Sequence, residues 1–172
     1  MTGLTPNHTK AYNFINYFRE ARPDAVSFPQ YFKQQPGYVA YGAGKLYHTS
    51  NPPNHDEPKS WSPEADGSHT YFEPTWHHCP KGHGSTFCLN DTLPEQEDYQ
   101  TYLHTVRHLE MAKNASKNFY VGCGFHRPHA PYISPHSFYA PYANAAIPAA
   151  LHRTMDPSVP DIAMVSAGLG DD

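Results

Sequence analysis

The sequence predicts a loop-rich α/β domain, and three observations support this fold class. A helical pattern, a short apolar run and a polar loop follow one another twice along the 172 residues, which is the element order of α/β folds. The 18 prolines interrupt long elements, while 13 tyrosines supply aromatic area for a core. Both polar loops follow apolar runs, and ligand sites in such folds lie beyond the carboxyl ends of strands. These two loops are therefore the candidate site.

The first predicted element is a helix over residues 25–36. Phe28, Tyr31 and Phe32 recur there at helical spacing, which places their rings on one face. Pro36 and Gly37, a few residues after Phe32, are a stop signal for a helix. We expect a short helix that buries this aromatic face.

A strand follows from Tyr38, and GKLYH lies at its end. Glycines just before Lys45 allow the backbone to turn there. Lys45 and His48 place a cation and an imidazole three positions apart, an arrangement that can hold an anionic oxygen from two directions. The alternative is a solvated surface lysine beside a hydrogen-bonded loop histidine.

Residues 49–93 are rich in Asn, Pro, Gly, Ser and His and show no sustained periodicity, so we expect a long loop excursion, an insertion or lid on the substrate side. Two interpretations of its histidines and cysteines stay open. The first is a zinc site, because imidazole and sulfur are the usual ligands, although the spacing matches no familiar zinc motif. Its candidate ligands are His77, His78, Cys79, His83 and Cys88.

The second interpretation is a disulfide between Cys79 and Cys88, which would close a short loop in a region without its own core. Such a bond suits an oxidising compartment. The third cysteine, Cys123, lies alone in an apolar run, and we expect it to be a buried thiol.

The second helix is predicted over residues 94–115, with Pro94 and acidic residues at its start and basic residues near its end. Its apolar stripe would contain Tyr99, Leu103, Val106 and Leu109.

A buried strand over residues 118–125 follows this helix and leads into HRPHAPY. Prolines restrict the backbone there, so His126, Arg127 and His129 can be fixed at little entropic cost. The alternatives are a turn that caps the strand and an HxxH metal pair. The tail over residues 147–172 shows no further clear element and is expected to be truncated.

Composition excludes some partners and favours a compartment. The net charge is −4 with scattered Lys and Arg, which argues against nucleic acid, and no apolar run is long enough for a membrane span. Three Asn-x-Ser/Thr sequons, at Asn7, Asn90 and Asn114, are candidate glycosylation sites. Together with the cysteine pair they favour a secretory route.

In their order, these segments resemble the sulfatase family, and within it the iduronate-2-sulfatase branch. The resemblance rests on TGLTPNHTKAYNF, FPQYFKQQPGYVAYGAGKLYH, SWS, the cysteine pair, the acidic helix, GFHRPHAPY and FYAPY. It implies that residues 1–172 are an internal fragment of a catalytic domain with the alkaline-phosphatase-like fold, a mixed β-sheet flanked by helices. It also implies a lysosomal or secreted hydrolase of sulfate esters, with sulfated uronate-containing glycans as substrates.

The resemblance assigns catalytic and sulfate-binding roles to Lys45, His48 and His129. Lys45 would neutralise charge on the nucleophile and sulfate, His48 would orient the formylglycine nucleophile and accept a proton, and His129 would protonate the leaving alcohol. His126 and Arg127 are further candidate substrate contacts. Arg127 stands where relatives often have Lys, and Thr-Ser follows GKLYH where the branch often has Pro-Gly.

The family's C-x-P-S-R motif, whose Cys becomes formylglycine, and its calcium-binding Asp pair precede TG-x-x-P. Here Met1 stands directly before Thr2-Gly3. We therefore expect a fragment without the nucleophile and without metal ligands, inactive unless the remainder of the domain is supplied. The alternatives are a secreted non-catalytic module that binds anions or zinc, and a degenerate sulfatase copy.

Overall fold

The structure is a computed structural model with two compact units, Met1–Phe138 and Tyr139–Asp172. It describes residues 1–13, 15–48, 51–52, 54–79, 87–151, 154 and 156–160. In the second unit, residues 140–151 are exposed and contain one 3₁₀ turn, Ala140–Tyr142. Apart from Tyr139, the last residue of a short helical turn, all features discussed below lie in the first unit.

Three short helices open the chain: α1 (Pro6–Thr9), α2 (Phe18–Ala21) and α3 (Phe28–Lys33). The prediction of a helix within residues 25–36 is confirmed by α3. A capping box fixes its start, because the Ser27 hydroxyl accepts from the Gln30 backbone N–H at 3.2 Å and the Gln30 side chain accepts from the Ser27 N–H.

The centre of the first unit is a β-α-β arrangement. Strands β1 (Tyr38–Gly44) and β3 (Asn118–Gly124) pair in parallel, from Tyr38 opposite Asn118 to Gly44 opposite Gly124. The 18-residue helix α4 (Glu97–Asn114) connects them and packs on both strands. The predicted α/β class is therefore confirmed.

A second strand pair lies near the cysteine pair. Strands β2 (Phe87–Leu89) and β4 (Tyr132–Ser134) are also parallel, and β4 leads into the single turn α5 (His136–Tyr139). Cys88 of β2 forms the predicted disulfide with Cys79. A 3₁₀ turn, Leu93–Glu95, connects β2 to α4.

The buried face of α4 differs from the predicted apolar stripe. Leu103 and Leu109 are 47% and 39% exposed, and Tyr99 and Val106 are only half-buried. Small and polar side chains are buried in their place because the helix lies very close to the strand ends. A side chain at Gly44 would overlap that of Thr101. The buried residues of α4 are Glu97, Thr101, His108 and Ala112.

Residues 54–72 of the excursion contribute to the core. Trp61 is 1% exposed, and its ring occupies the space above Gly42, where a Cβ would lie 2.7 Å from it. Phe72 runs beside the strand edge, donating its N–H to the Gly42 carbonyl at 3.0 Å and accepting from the Gly44 N–H at 2.8 Å. Residues 54–72 therefore cover one edge of β1.

The expectation of a buried thiol at Cys123 is wrong, because this cysteine is free and exposed. Side chains alternate along a strand, so Cys123 shares a face of β3 with Phe119, which is 50% exposed. This face of β3 is open to solvent. Within the described residues, no helix is both long and apolar enough to cross a bilayer.

Candidate functional site

The two predicted polar loops meet because β1 and β3 end side by side at glycines. Gly44 has φ +78°, a conformation that favours glycine. The backbone N–H of Lys45 donates to the Gly124 carbonyl at 2.6 Å, and a Cβ at Gly124 would overlap the Lys45 backbone. Only this close approach places GKLYH next to HRPHAPY.

The HRPHAPY loop is held by the first turn of α4. The Asp98 carboxylate accepts backbone hydrogen bonds from His126 at 2.6 Å and from Arg127 at 3.2 Å. A carboxylate at a helix N-terminus is also favoured by the helix dipole. Asp98 thus fixes the direction in which the chain leaves β3.

Glu97 binds the same loop through a side chain. Its carboxylate accepts hydrogen bonds from Arg127 Nη2 at 2.5 Å and from the backbone N–H of His77 at 2.9 Å. Arg127 Nη1 also donates to the carbonyls of His129 and Pro131, at 3.0 and 2.6 Å. The guanidinium therefore braces the loop, and its role as a substrate contact stays a prediction.

Three of the predicted site residues lie around one tryptophan. The ammonium of Lys45 lies over the Trp76 ring, 5.7 Å from its centroid, within the range of cation–π attraction. The rings of Trp76 and His126 are 4.1 Å apart, and those of His126 and His129 are 4.5 Å apart. We call these four residues the Lys45 cluster.

His48, the remaining predicted catalytic residue, lines an open cleft together with Lys45. The cleft has a volume of ≈ 520 Å³. The N-terminal segment also lines this cleft, including Met1, Thr2 and Leu4. Lys45 therefore borders both the cleft and the tryptophan.

The electrostatic environment of the Lys45 cluster suits an anion. Burial, followed by the electrostatic effects of His129, Lys45 and Arg127, lowers the pKa of His126 to about 4, and the Glu97 carboxylate acts against this shift. Burial also lowers the pKa of Lys45, whereas the nearby Glu73 carboxylate acts to raise it. An anion bound beside His126 would offset the positive charges that lower its pKa, whereas the Glu73 and Glu97 carboxylates act in the opposite direction.

His129 is exposed, and one of its ring nitrogens has a defined role. Its Nδ1 lies 2.6 Å from the Ala130 carbonyl oxygen. A carbonyl can only accept, so Nδ1 carries the proton and Nε2 is the atom that gains or loses one. This is the arrangement that a histidine needs to transfer a proton at Nε2.

The metal interpretations find no support in the structure. The disulfide uses the sulfurs of both Cys79 and Cys88, which removes them as zinc ligands, and His83 lies outside the described residues. Within the described part of the chain, no group of three or more His, Cys, Asp or Glu side chains could hold a metal ion. Among the described residues the HxxH pair has no third ligand, and these residues do not fit a calcium site.

The three sequons lie in different environments. Asn7 and Asn114 are exposed, and Asn114 is the last residue of α4. Asn90 is half-buried, and its side-chain amide donates to Glu95 at 2.9 Å. Glycosylation of these residues stays a prediction.

Sequence reasoning missed residues that act across the fold. Glu97 and Asp98 had a visible signal, since both are acidic residues in a first helical turn, but nothing local showed that they bind a distant loop. Trp76 lies in a segment without periodicity. Its contact with Lys45 depends on how the excursion folds back over β1.

Comparison with curated proteins finds relatives over most of this chain. It is 33% identical over 171 residues to iduronate 2-sulfatase of Homo sapiens and 34% identical over 172 residues to that of Mus musculus, covering 94% of this chain and 30% of each relative. It is 30% identical over 158 residues to a sulfatase of Formosa agariphila, covering 83% of this chain and 31% of that protein. The chain thus spans about 30% of the length of these relatives. No protein-family model matches it.

Proposed function

Because this chain is related over most of its length to a segment of the sulfatases, we propose that it is the sulfate-binding part of a sulfate-ester hydrolase. The observation that carries the proposal is the convergence of Lys45, His126 and His129 at the ends of two parallel strands. The Lys45 charge and the polar imidazoles beside it suit a sulfate group, which carries negative charge before and during S–O cleavage.

Lys45 would neutralise charge on the sulfate. The support for this role is its position, since its ammonium is partly removed from water and lies beside a neutral histidine. A cation in such a site stabilises an anion more strongly than one in bulk water. His126 and Arg127 would shape the pocket, and Arg127 would do so by holding the loop.

His129 would protonate the leaving alcohol, because its Nδ1 is committed to a carbonyl and Nε2 can exchange a proton. His48 would face the nucleophile in the cleft that it shares with Lys45. The resemblance places the formylglycine motif just before the segment 2–6, and Thr2 and Pro6 border this cleft. His48 would there orient the nucleophile and accept its proton.

The whole protein would then hydrolyse sulfate esters of uronate-containing glycans, in the lysosome or outside the cell. The family implies calcium, which would polarise the nucleophile when bound. The described residues offer no such site, so the chemistry assigned to this chain is limited to binding sulfate and moving protons. The disulfide supports an oxidising compartment.

The test is sulfate binding by the 172-residue chain, measured by calorimetry at constant ionic strength. Lys45→Ala should abolish the binding heat, whereas Lys117→Ala, at an exposed lysine, should leave it unchanged. Equal loss in both variants, or no binding by the unmodified chain, would contradict the proposal.

A second candidate function is a secreted anion-binding module without catalysis, which the same positive cluster favours. The hydrolase needs a nucleophile, whereas the binding module does not. Combining this chain with the parts of the domain that its relatives have beyond the matched segment should produce hydrolysis of an aryl sulfate if the chain is part of an enzyme. Sulfate binding without any hydrolysis in that mixture would favour the module.

A further inference from the structure

Trp76 lies in neither sequence motif, yet it contacts residues of both polar loops. We propose that Trp76 is a positioning residue of the anion site, holding the Lys45 ammonium beside His126 so that both face one sulfate. This inference rests on the proposed sulfate-binding function and adds a residue to it.

The first step concerns Lys45, whose side chain is a flexible four-carbon stem. Without a fixed partner its ammonium would sample many positions, and binding an anion would require ordering it. The Trp76 ring provides that partner, because the ammonium lies over it at 5.7 Å. The negative face of the indole also stabilises the charged form of a lysine that is partly removed from water.

The second step concerns Trp76, whose indole is held in place by a chain of contacts that leads to the core. Its indole Nε1 donates to Glu73 at 3.4 Å, and the other oxygen of that carboxylate lies 3.0 Å from His55 Nε2. His55 stacks on Tyr71, with 4.3 Å between ring centroids. Tyr71 in turn packs against the buried Trp61 at 5.2 Å. The indole is thus linked to the core.

The third step concerns the backbone next to Trp76. The N–H of His77 donates to Glu97, the carboxylate that also binds Arg127. One buried side chain therefore fixes both the segment that carries Trp76 and the loop that carries His126. This shared contact with Glu97 therefore sets the distance between the Trp76 indole and the His126 ring.

The experiment compares three variants at position 76 by sulfate calorimetry. Trp76→Ala and Trp76→Leu remove the π face and should weaken sulfate affinity roughly fivefold or more. Trp76→Phe keeps an aromatic face and should stay within about threefold of the unmodified chain. The leucine variant keeps apolar packing, so it remains informative if the alanine variant fails to fold.

Intrinsic fluorescence adds a readout that a purely structural role would not change. The chain has two tryptophans, and Trp61 is buried away from solvent. Sulfate should change the emission of the unmodified chain. In Trp76→Phe this change should vanish although calorimetry still detects binding, and in Lys45→Ala both signals should vanish.

The outcomes separate the two proposals. If the unmodified chain binds no sulfate, the proposed function is wrong. If it binds sulfate, loses binding in Lys45→Ala and keeps full affinity in Trp76→Leu, the proposed function stands and the positioning role of Trp76 is wrong. Weakened binding in Trp76→Leu with rescue by phenylalanine supports the role.

Discussion

Glu97 and Arg127 form an ion pair between the first turn of α4 and the loop after β3, with 2.5 Å between Oε2 and Nη2. The Glu97 side chain is 2% exposed and that of Arg127 is 20% exposed. The second carboxylate oxygen binds the backbone of His77. A single buried carboxylate thus joins three segments that are distant in sequence, and the geometry of the candidate site depends on it.

Replacing Glu97 with alanine should destabilise the chain by about 3 kcal/mol, because it removes the carboxylate that pairs with Arg127 and leaves Arg127 Nη2 and the His77 N–H without their acceptor. Urea unfolding measures the change. Glu110→Ala is the matched control, since Glu110 is exposed on the same helix and should cost less than about 0.5 kcal/mol. Equal costs for the two variants would show that the ion pair contributes nothing.

Sulfate should raise the pKa of His126 above its low value of about 4. A bound anion offsets the positive charges that disfavour the imidazolium, so the histidine is protonated at higher pH. By linkage, sulfate should bind more tightly as the pH falls from the raised pKa of His126 in the sulfate complex towards its pKa of about 4 in the free chain. An NMR titration of the histidine ring protons, with and without sulfate, measures both effects.

His108 is the internal control for that titration. Burial, with a contribution from the charges of His104 and Arg107, lowers its pKa to about 4 as well, but its ring packs on Tyr41 inside the core. Sulfate should leave the His108 titration unchanged. If both histidines shift equally, or if chloride at the same ionic strength has the same effect, the sulfate does not bind beside His126.

Asp56 should make the stability of the chain sensitive to acid. Burial alone would raise its pKa, but hydrogen bonds from Arg19, Ser60 and Tyr17 hold the pKa of this 1% exposed side chain below its ordinary value. A lowered folded-state pKa means that the stabilisation is complete above the unfolded value of about 3.9 and is lost as the pH falls through the folded-state pKa.

Asp56→Asn should therefore cost about 3 kcal/mol at neutral pH, since it leaves the Arg19 side chain, which is 6% exposed, without its charged partner. The difference from the unmodified chain should shrink below about pH 4. Urea unfolding between neutral and acid pH tests this, with Glu20→Gln as an exposed control. A difference that stays constant with pH would contradict the assignment.

Sequence alone predicted α3, α4, β1, β3 and, as one of two interpretations, the disulfide, because periodicity, stop signals and cysteine spacing are local properties. It did not predict the short elements α1, α2, β2 and β4. The buried face of α4 could not be predicted this way. Its packing surface is a pair of glycine-rich strand ends that accept Thr101 but not a leucine, so Leu103 lies outside. The contact between Trp76 and Lys45 was equally invisible, since it depends on the path of the excursion.

The last prediction tests the close approach that brings the two polar loops together. Gly44 and Gly37 have almost the same φ, +78° and +77°, so an alanine at either position meets the same backbone strain of about 1 kcal/mol. Gly37 has no atom within 4 Å of an added Cβ, whereas at Gly44 the Cβ would overlap the Gly124 carbonyl and the Thr101 side chain. Gly44→Ala should therefore cost about 2 kcal/mol more than Gly37→Ala in urea unfolding.

Gly44→Ala should also abolish sulfate binding, because the Lys45 N–H can no longer reach the Gly124 carbonyl. Equal stability of the two alanine variants, with sulfate affinity retained in both, would show that the site does not depend on this contact.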